Sequence, residues 1–116
     1  MKADCIFCKI IAKEIPAALI AENNEVLVIK DINPKATIHY LIIPKKHFPD
    51  LQSLEEQALD ETDTLLMGKL MLMAKQLSKD FSIPGFKLIV NNGKEAGQCV
   101  FHFHIHFLSG KQLSGF

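Results

Sequence analysis

The run VFHFHIHFL at residues 100–108 restricts this chain more than any other stretch, because polar and apolar side chains alternate in it without a break. Strict alternation predicts a β-strand with one polar and one apolar face. His102, His104 and His106 would share a face, with neighbouring rings about 6.5 to 7 Å apart. The side chains of the other face would pack in the core and on a helix: Phe101, Phe103, Ile105 and Phe107.

A face with three neighbouring imidazoles is a poor core surface, because every buried ring nitrogen needs a hydrogen-bond partner. Two kinds of functional site fit the spacing equally well. One is a metal site. The other is catalysis by a neutral imidazole, whose ordinary pKa of about 6.5 leaves a ring nitrogen free as a nucleophile at neutral pH.

The remaining pattern predicts an α+β domain. Strand-like runs cover residues 17–22, 25–31, 37–43 and 86–91, a short helix lies within residues 1–15, and a long helix covers 51–80. The apolar stripe of the long helix has helical spacing, as expected for core residues: Leu59, Leu66, Leu70, Met73 and Leu77. We therefore predict one domain over residues 1–116, with a five-stranded antiparallel sheet covered by the long helix.

Charge and composition narrow the class of partner. The chain of 116 residues has 13 Lys and Arg against 13 Asp and Glu, so it offers no electrostatic argument for binding nucleic acid or a membrane surface. Lys13 and Glu14 interrupt the apolar N-terminal residues, which argues against a signal peptide. A cytoplasmic setting is expected, in which the three Cys stay reduced.

Residues 97–108 resemble the signature of the histidine triad (HIT) family, His-x-His-x-His with hydrophobic residues between. Four more segments are similar to the nucleotide-binding branch of that family, in the family's order: 5–11, 14–17, 31–34 and 42–47. The resemblance covers nearly the whole chain. It implies a HIT-like homodimer with a joined ten-stranded sheet, which binds AMP- or GMP-type nucleotides and hydrolyses purine nucleoside phosphoramidates.

The resemblance also implies roles for individual residues. His104 would attack the α-phosphorus and form a covalent nucleotidyl-histidine, His106 would help the amine leave, and His39 would support the ring of the nucleophile. The nucleotide would contact Asp31 through its ribose, Phe7, Ile10 and Ile32 through its base, and Asn91, Gln98, Cys99 and Val100 through its phosphate. Many relatives carry Ser or Thr in place of Cys99. Because a thiol is a weak donor, only the backbone N–H contact is expected there.

Cys5 and Cys8 form a second motif, with the Cys-x-x-Cys spacing of tetrahedral zinc sites. Such a site needs two more ligands, and the resemblance implies His47 and His102. We expect a structural zinc site of Cys5, Cys8, His47 and His102 that the chemistry itself does not require. The alternative is a pair of half-buried thiols beside Phe7.

Three other functions stay open. The chain could be a dinucleoside polyphosphate hydrolase of the neighbouring HIT branch, or a nucleotide-binding adaptor with incidental turnover. It could also be a zinc-binding interaction module, in which His104 and His106 would be metal ligands too.

Overall fold

A computed structural model of the protein describes residues 3–54, 61–110 and 113. Its centre is a five-stranded antiparallel sheet in the order β1-β2-β3-β5-β4. The strands are β1 (Leu19–Glu22), β2 (Val26–Lys30), β3 (Ile38–Pro44), β4 (Lys87–Ile89) and β5 (Ile105–Ser109). A short helix, α1 (Ile6–Ile11), and a long one, α2 (Glu61–Asp80), complete the fold. The predicted α+β class, five strands and two helices are confirmed.

The sheet is buried on both faces, because α1 and α2 pack on opposite sides of it. Alternate residues of β2 divide between two cores: Val26 and Val28 pack with α2, whereas Leu27 and Ile29 pack with α1. This explains why the residues of β2 read as a nearly continuous apolar run rather than an alternating one.

Helix α2 packs on the sheet through the stripe that its spacing predicts, with Leu66, Leu70, Met73 and Leu77 buried. Leu59 lies outside the described residues. The predicted helix start at residue 51 is wrong, because Leu51–Ser53 is a 3₁₀ turn. The Asp50 carboxylate closes that turn by accepting bonds from the Ser53 N–H at 2.9 Å and the Ser53 hydroxyl at 2.6 Å.

The histidine-rich run is a strand only in its second half. β5 begins at Ile105, which pairs with Ile42, and the ladder stops there. Pro44 has no N–H to offer the ladder, and its carbonyl oxygen accepts a hydrogen bond from the His102 ring at 2.7 Å. The prediction of a strand from residue 100 is therefore wrong, although Phe103, Ile105 and Phe107 enter the core as expected.

Phe101 is the apolar residue of the run that departs from the prediction. Its side chain is 47 % exposed, whereas Phe103 beside it stacks on Phe48 with ring centroids 5.1 Å apart. The Phe103 N–H also donates to the Phe48 carbonyl at 2.8 Å. These contacts draw the segment before β5 toward residues 44–48, and Phe48 and Phe103 share one core cluster with the buried residues of α2. Within the described ranges, no helix is long and apolar enough to cross a membrane.

Candidate active site

The ring of His104 is held in one tautomer by its own backbone. Its Nδ1 lies 2.8 Å from the carbonyl oxygen of His102. Because a carbonyl oxygen can only accept, the proton is on Nδ1 and the lone pair is on Nε2. Burial lowers the pKa of His104, and it outweighs the opposite effects of that hydrogen bond and of Asp31. His104 is therefore a neutral ring with a nucleophilic Nε2 at neutral pH.

His106 is oriented by a chain of hydrogen bonds that starts at the backbone. The Lys35 N–H donates to His39 Nδ1 at 3.0 Å, so the proton of the neutral His39 ring is on Nε2. His39 Nε2 lies 2.9 Å from His106 Nδ1 and 3.3 Å from the Asp31 carboxylate. His106 Nδ1 accepts this bond, which leaves an N–H on His106 Nε2. We call His39 and His106 the imidazole chain.

The imidazole chain is neutral at neutral pH. Burial, with smaller effects from His104 and His39, lowers the pKa of His106 to about 4. Burial also lowers the pKa of His39, although Asp31 opposes the shift. The ring of His106 lies against that of His104, with centroids 5.1 Å apart. The site thus places an N–H donor beside a nucleophilic lone pair.

Asn91 and Asn92 follow β4 and have different contacts. Asn91 Nδ2 lies 3.5 Å from His106 Nε2, so Asn91 faces the two catalytic candidates. Asn92 bonds instead to the 3₁₀ turn, where its Oδ1 accepts from the Leu51 N–H at 2.7 Å. Only the first of the two is placed to contact a phosphate at the triad.

The loop between Asn92 and the triad is closed by Gln98. Its Oε1 accepts from the Gly93 N–H at 2.7 Å, and its Nε2 donates to the Pro49 carbonyl at 2.6 Å and the Val100 carbonyl at 3.0 Å. Gly93 and Gly97 both have φ of 92°, a backbone region that favours glycine. Gln98 is 5 % exposed, so its side chain shapes this loop from inside.

The same loop decides which backbone donors are free for a phosphate. The Gly97 N–H donates to the Lys94 carbonyl at 3.0 Å and the Gln98 N–H donates to the Gly93 carbonyl at 3.1 Å. The N–H groups of Cys99 and Val100 take no part in that network. The Cys99 thiol is exposed and lies 3.5 Å from the Gly97 carbonyl, so it turns toward its own loop.

Cys5, Cys8, His47 and His102, the Cys/His cluster, come together at the start of α1. Their donor atoms all lie within 4.8 Å of one another. His102 Nδ1 is 3.4 Å from Cys5 Sγ, 3.6 Å from Cys8 Sγ and 3.0 Å from His47 Nδ1. Ligand atoms around tetrahedral zinc are about 3.3 to 3.8 Å apart, as bond lengths of about 2.0 to 2.3 Å require.

The tautomer of His102 also suits a metal ligand. Its Nε2 donates to the Pro44 carbonyl at 2.7 Å, so the lone pair is on Nδ1, the atom that faces the two thiols. A backbone carbonyl on the second ring nitrogen is the usual support of a ligating histidine. Burial lowers the pKa of His102 to about 4, which keeps the ring neutral. The residues present fit a zinc ion.

A cleft of about 380 Å³ lies between the end of α1 and the first two strands. Ile10, Leu27 and Ile29 form part of its apolar wall. Asp31 directly follows β2 and is two residues beyond Ile29, so Leu27, Ile29 and Asp31 lie on the same side of the sheet. We call this space the first cleft.

Comparison with known proteins agrees with this geometry. Residues 12–113 match the model of the HIT domain family. The chain belongs to the HIT family. It is 45 % identical over 115 residues to a HIT-like protein of Synechocystis sp., with 98 % of this chain and 96 % of that protein covered.

Two solved HIT structures share the fold over nearly their whole length. A histidine triad protein from Clostridium difficile is 36 % identical with a TM-score of 0.88, and 100 % of this chain and 98 % of that one are covered. A HIT family hydrolase from Legionella pneumophila is 36 % identical with a TM-score of 0.85, and 96 % of each chain is covered.

Within this HIT domain, the predicted site residues divide into three groups. Five of them lie around one point: Asp31, His39, Asn91, His104 and His106. The resemblance implied that His39 supports the ring of His104, but His39 contacts His106 instead. The four residues of the Cys/His cluster form a neighbouring group. Gln98 lies inside the loop, and the N–H groups of Cys99 and Val100 beside it take no part in the loop's hydrogen bonds.

The three side chains expected at the base lie in different places. Ile10 lines the first cleft, but Ile32 is 92 % exposed and does not. Phe7 is buried, with its ring edge-on to the His104 ring at a centroid distance of 5.2 Å. The first cleft is also lined by Ile15, Leu27 and Ile29, which the sequence reasoning did not single out. The two-residue spacing that connects Leu27, Ile29 and Asp31 is the signal that could have found the last two.

Proposed function

We propose that this HIT-domain protein hydrolyses the P–N bond of purine nucleoside 5′-phosphoramidates of the AMP type through a covalent nucleotidyl-histidine at His104. The observation that carries the proposal is the tautomer of His104. Its proton is fixed on Nδ1 by the His102 carbonyl at 2.8 Å, so the lone pair on Nε2 is free in a neutral ring. The hydrolase name of the Legionella relative supports the reaction class.

In the first step His104 Nε2 forms a bond to phosphorus while the P–N bond breaks. The electron pair of that bond goes to the leaving nitrogen, which must also gain a proton because an amide anion is a very poor leaving group. The bound phosphoryl anion raises the pKa of His106 from its low value in the free site, so a solvent proton adds at His106 Nδ1. The His39 Nε2–H then turns to the Asp31 carboxylate 3.3 Å away, and the proton already on His106 Nε2 passes to the amine.

In the second step a water oxygen attacks phosphorus and the bond to His104 Nε2 breaks. The water gives one proton to His106, and the electron pair returns to His104, which regains its neutral form with the proton on Nδ1. The products are the nucleoside monophosphate and the amine. The imidazole chain therefore acts as acid and then as base, oriented by Lys35 N–H and His39.

The nucleotide occupies the first cleft with its base and reaches the triad with its phosphate. The Asp31 carboxylate accepts from the Asn33 N–H at 2.8 Å and keeps lone pairs for the ribose hydroxyls. Charge that develops on the phosphoryl oxygens is stabilised by the backbone N–H groups of Cys99 and Val100 and by Asn91.

We further propose that the Cys/His cluster holds a structural zinc ion in a cytoplasmic protein. Its four donor groups, two thiols and two imidazoles at one point, match a closed Cys2His2 site with no open position for substrate. All three Cys of the chain are free thiols, which suits a reducing compartment. The zinc ties α1 to the segment that carries the triad.

A homodimer with a joined ten-stranded sheet is part of the proposal. β4 is an edge strand, and the apolar side chains around it, Phe86, Ile89 and Val90, are exposed. Exposed edges of this kind pair readily with a second copy. On α2, Leu65 and Leu72 are also exposed, and Gly68 between them has open space where a side chain would be.

Mass spectrometry of the covalent adduct tests the reaction. The protein is mixed with adenosine 5′-phosphoramidate, quenched without acid, digested and mapped; a nucleotidyl group on His104 is expected, and none in His104→Ala. Turnover of a diadenosine polyphosphate is measured in parallel. Faster cleavage of that substrate would identify the protein as a polyphosphate hydrolase, and an adduct on another residue would overturn the assignment of the nucleophile.

A further inference from the structure

A second cleft, of about 400 Å³, opens beside the Cys/His cluster. Two of the four residues of the cluster, Cys5 and His47, form part of its wall. The other two, Cys8 and His102, do not line this cleft and are 1 % and 0 % exposed. The side of the cluster that reaches solvent is therefore the side of Cys5 and His47, at the second cleft.

The two halves of the cluster are held differently. Cys8 lies within helix α1, and the buried His102 ring bonds to the Pro44 carbonyl at 2.7 Å. Cys5 is the residue before α1, and His47 lies in the connection that follows β3. Segments outside packed helices and strands open at a lower free-energy cost than the elements themselves. Cys8 and His102 are thus the fixed half of the cluster, and Cys5 and His47 are the half that can open.

Two further donor groups line the second cleft without belonging to the cluster, namely the Cys99 thiol and the Asp4 carboxylate. Both residues are exposed. Neither belongs to the group of donor atoms that lie within 4.8 Å of one another, so neither is one of the four ligands. Thiolates are preferred ligands of zinc, and a carboxylate attracts a cation. A zinc ion that crosses the second cleft therefore passes both groups on its way to Cys5 and His47.

We infer that zinc enters and leaves the Cys/His cluster through the second cleft, with Cys5 and His47 as the ligands that bind last and dissociate first. Cys99 is a transient ligand during this exchange, and Asp4 raises the local concentration of the cation. The inference rests on the proposed zinc site.

The exchange is a substitution of ligands and needs no oxidant or reductant. On departure the Cys99 thiol gives its proton to solvent, and its sulfur lone pair forms a bond to zinc. The bond from the His47 imidazole breaks, and its lone pair returns to the ring nitrogen. Cys5 then dissociates as a thiolate and takes a proton from solvent. Entry is the same sequence in reverse.

A group on the route and a group that holds the ion differ in their kinetic effects. Because entry and exit follow one path in opposite directions, a group that acts only on the path changes both rates by the same factor. The affinity for zinc then stays constant. Removal of a resident ligand lowers the affinity instead. Rates and affinity are therefore measured together.

Cys99 is tested by its ability to bind metal. Transfer of zinc from the loaded protein to the chelator 4-(2-pyridylazo)resorcinol gives the exit rate, and competition at equilibrium gives the affinity. Cys99→Ser lowers the exit and entry rates roughly 3- to 10-fold and leaves the affinity within about twofold, because a hydroxyl is a much poorer zinc ligand than a thiolate. Cys99→His supplies another zinc-binding side chain and keeps most of the native rate.

Asp4 is tested by its charge. Asp4→Asn lowers the exit and entry rates about twofold, as expected for an exposed carboxylate that attracts a cation. Asp80→Asn removes the same charge at the end of α2, outside both clefts, and serves as the matched control with no effect on either rate.

The open side of the cluster is tested without metal. The metal-free protein is treated with a small fraction of an equivalent of iodoacetamide, and the modified thiols are mapped by mass spectrometry at early times. We expect Cys99 to react fastest, Cys5 next, and Cys8 at less than about a tenth of the rate of Cys5, since Cys8 is 1 % exposed and does not line the second cleft. Equal initial rates at Cys5 and Cys8 would overturn the assignment of the open side.

The outcomes separate the route from the zinc site. Close to one zinc per chain, together with native exchange rates in both Cys99→Ser and Asp4→Asn, would overturn the route and leave the zinc site intact. A loss of zinc affinity beyond about tenfold in Cys99→Ser would make Cys99 a resident ligand and overturn its transient role. Native protein with less than about a tenth of an equivalent of zinc would overturn both proposals. The thermal unfolding midpoint of each variant is measured alongside and is expected to match that of the native protein.

Discussion

The Cys/His cluster and the imidazole chain use the same kind of side chain, buried and neutral, but arrange it in opposite ways. In the Cys/His cluster, ring and sulfur atoms converge on one point, and His102 turns its lone pair toward the thiols. In the imidazole chain, each ring accepts with one nitrogen and presents an N–H with the other. Convergent lone pairs suit a metal ion, whereas an ordered row of donors and acceptors suits proton transfer.

What separates the two arrangements is the backbone group that bonds each ring. Carbonyl oxygens fix His102 and His104, and an N–H group fixes His39. The spacing of the histidines is the same on both sides of His104, so spacing alone does not decide between metal binding and catalysis. The experiments below act on one arrangement at a time.

The largest effect is expected for His104→Ala, which removes the nucleophile and leaves both arrangements in place. We expect kcat to fall roughly 10⁴-fold or more, because the variant lacks the nitrogen that forms the proposed covalent adduct. AMP affinity and zinc content should stay near those of the native protein. A variant with more than a tenth of native activity would contradict the assignment.

His39→Asn breaks the imidazole chain without touching the Cys/His cluster. His106 then loses the bond that orients its ring, and kcat is expected to fall roughly 10²-fold with little change in AMP affinity. The kinetic measurement should show that KM is nearly constant. The control is a substrate whose amine is already a good leaving group and needs little protonation. If His39→Asn lowered kcat for that substrate as much as for the phosphoramidate, this role would be contradicted.

Cys8→Ser breaks the Cys/His cluster and leaves the imidazole chain. Zinc content, measured by elemental analysis, should fall, and activity should fall roughly 10-fold because the cluster residue His102 also supplies the carbonyl that orients His104. Native protein never exposed to chelator should contain close to one zinc per chain. Less than about a tenth of an equivalent would count against the site.

The metal-free protein should become less stable as the pH falls from 6.5 to 4. The pKa values of His102 and His106 are lowered to about 4, so over this range the unfolded chain binds protons that the folded chain does not. Each ring therefore contributes stability above pH 6.5 that is lost progressively down to pH 4, on the order of 1 to 3 kcal/mol per ring. Urea unfolding across this range measures it, and a flat profile would contradict the neutral assignment.

The smallest effect is expected for Cys99→Ser. The thiol is exposed and lies near the Gly97 carbonyl, so the proposed phosphate contact of residue 99 is through its backbone N–H alone. Since a hydroxyl is the stronger donor, kcat/KM should stay within about threefold of native or rise. A loss of activity beyond tenfold would show that the sulfur itself has a role in phosphate binding.

The sequence could predict those parts of the molecule that follow from local periodicity. The stripe of α2 and the inward side chains Ile105 and Phe107 obey helical and strand spacing, and the segment motifs identified the residues of both histidine arrangements. The late start of β5 at Ile105 goes with the bond from the His102 ring to the Pro44 carbonyl, a contact across 58 positions of the chain. The buried role of Gln98 depends on loop closure against Pro49, which local pattern does not encode.

The carbonyl of Pro44 has a consequence for how such a protein can change. It decides which nitrogen of His102 carries the hydrogen, and so leaves the lone pair on Nδ1, which faces the two thiols. Displacing this one main-chain oxygen would allow the hydrogen to move to Nδ1 while every side chain kept its identity. A substitution near Pro44, at the end of β3, could therefore abolish the proposed metal site without changing either cysteine.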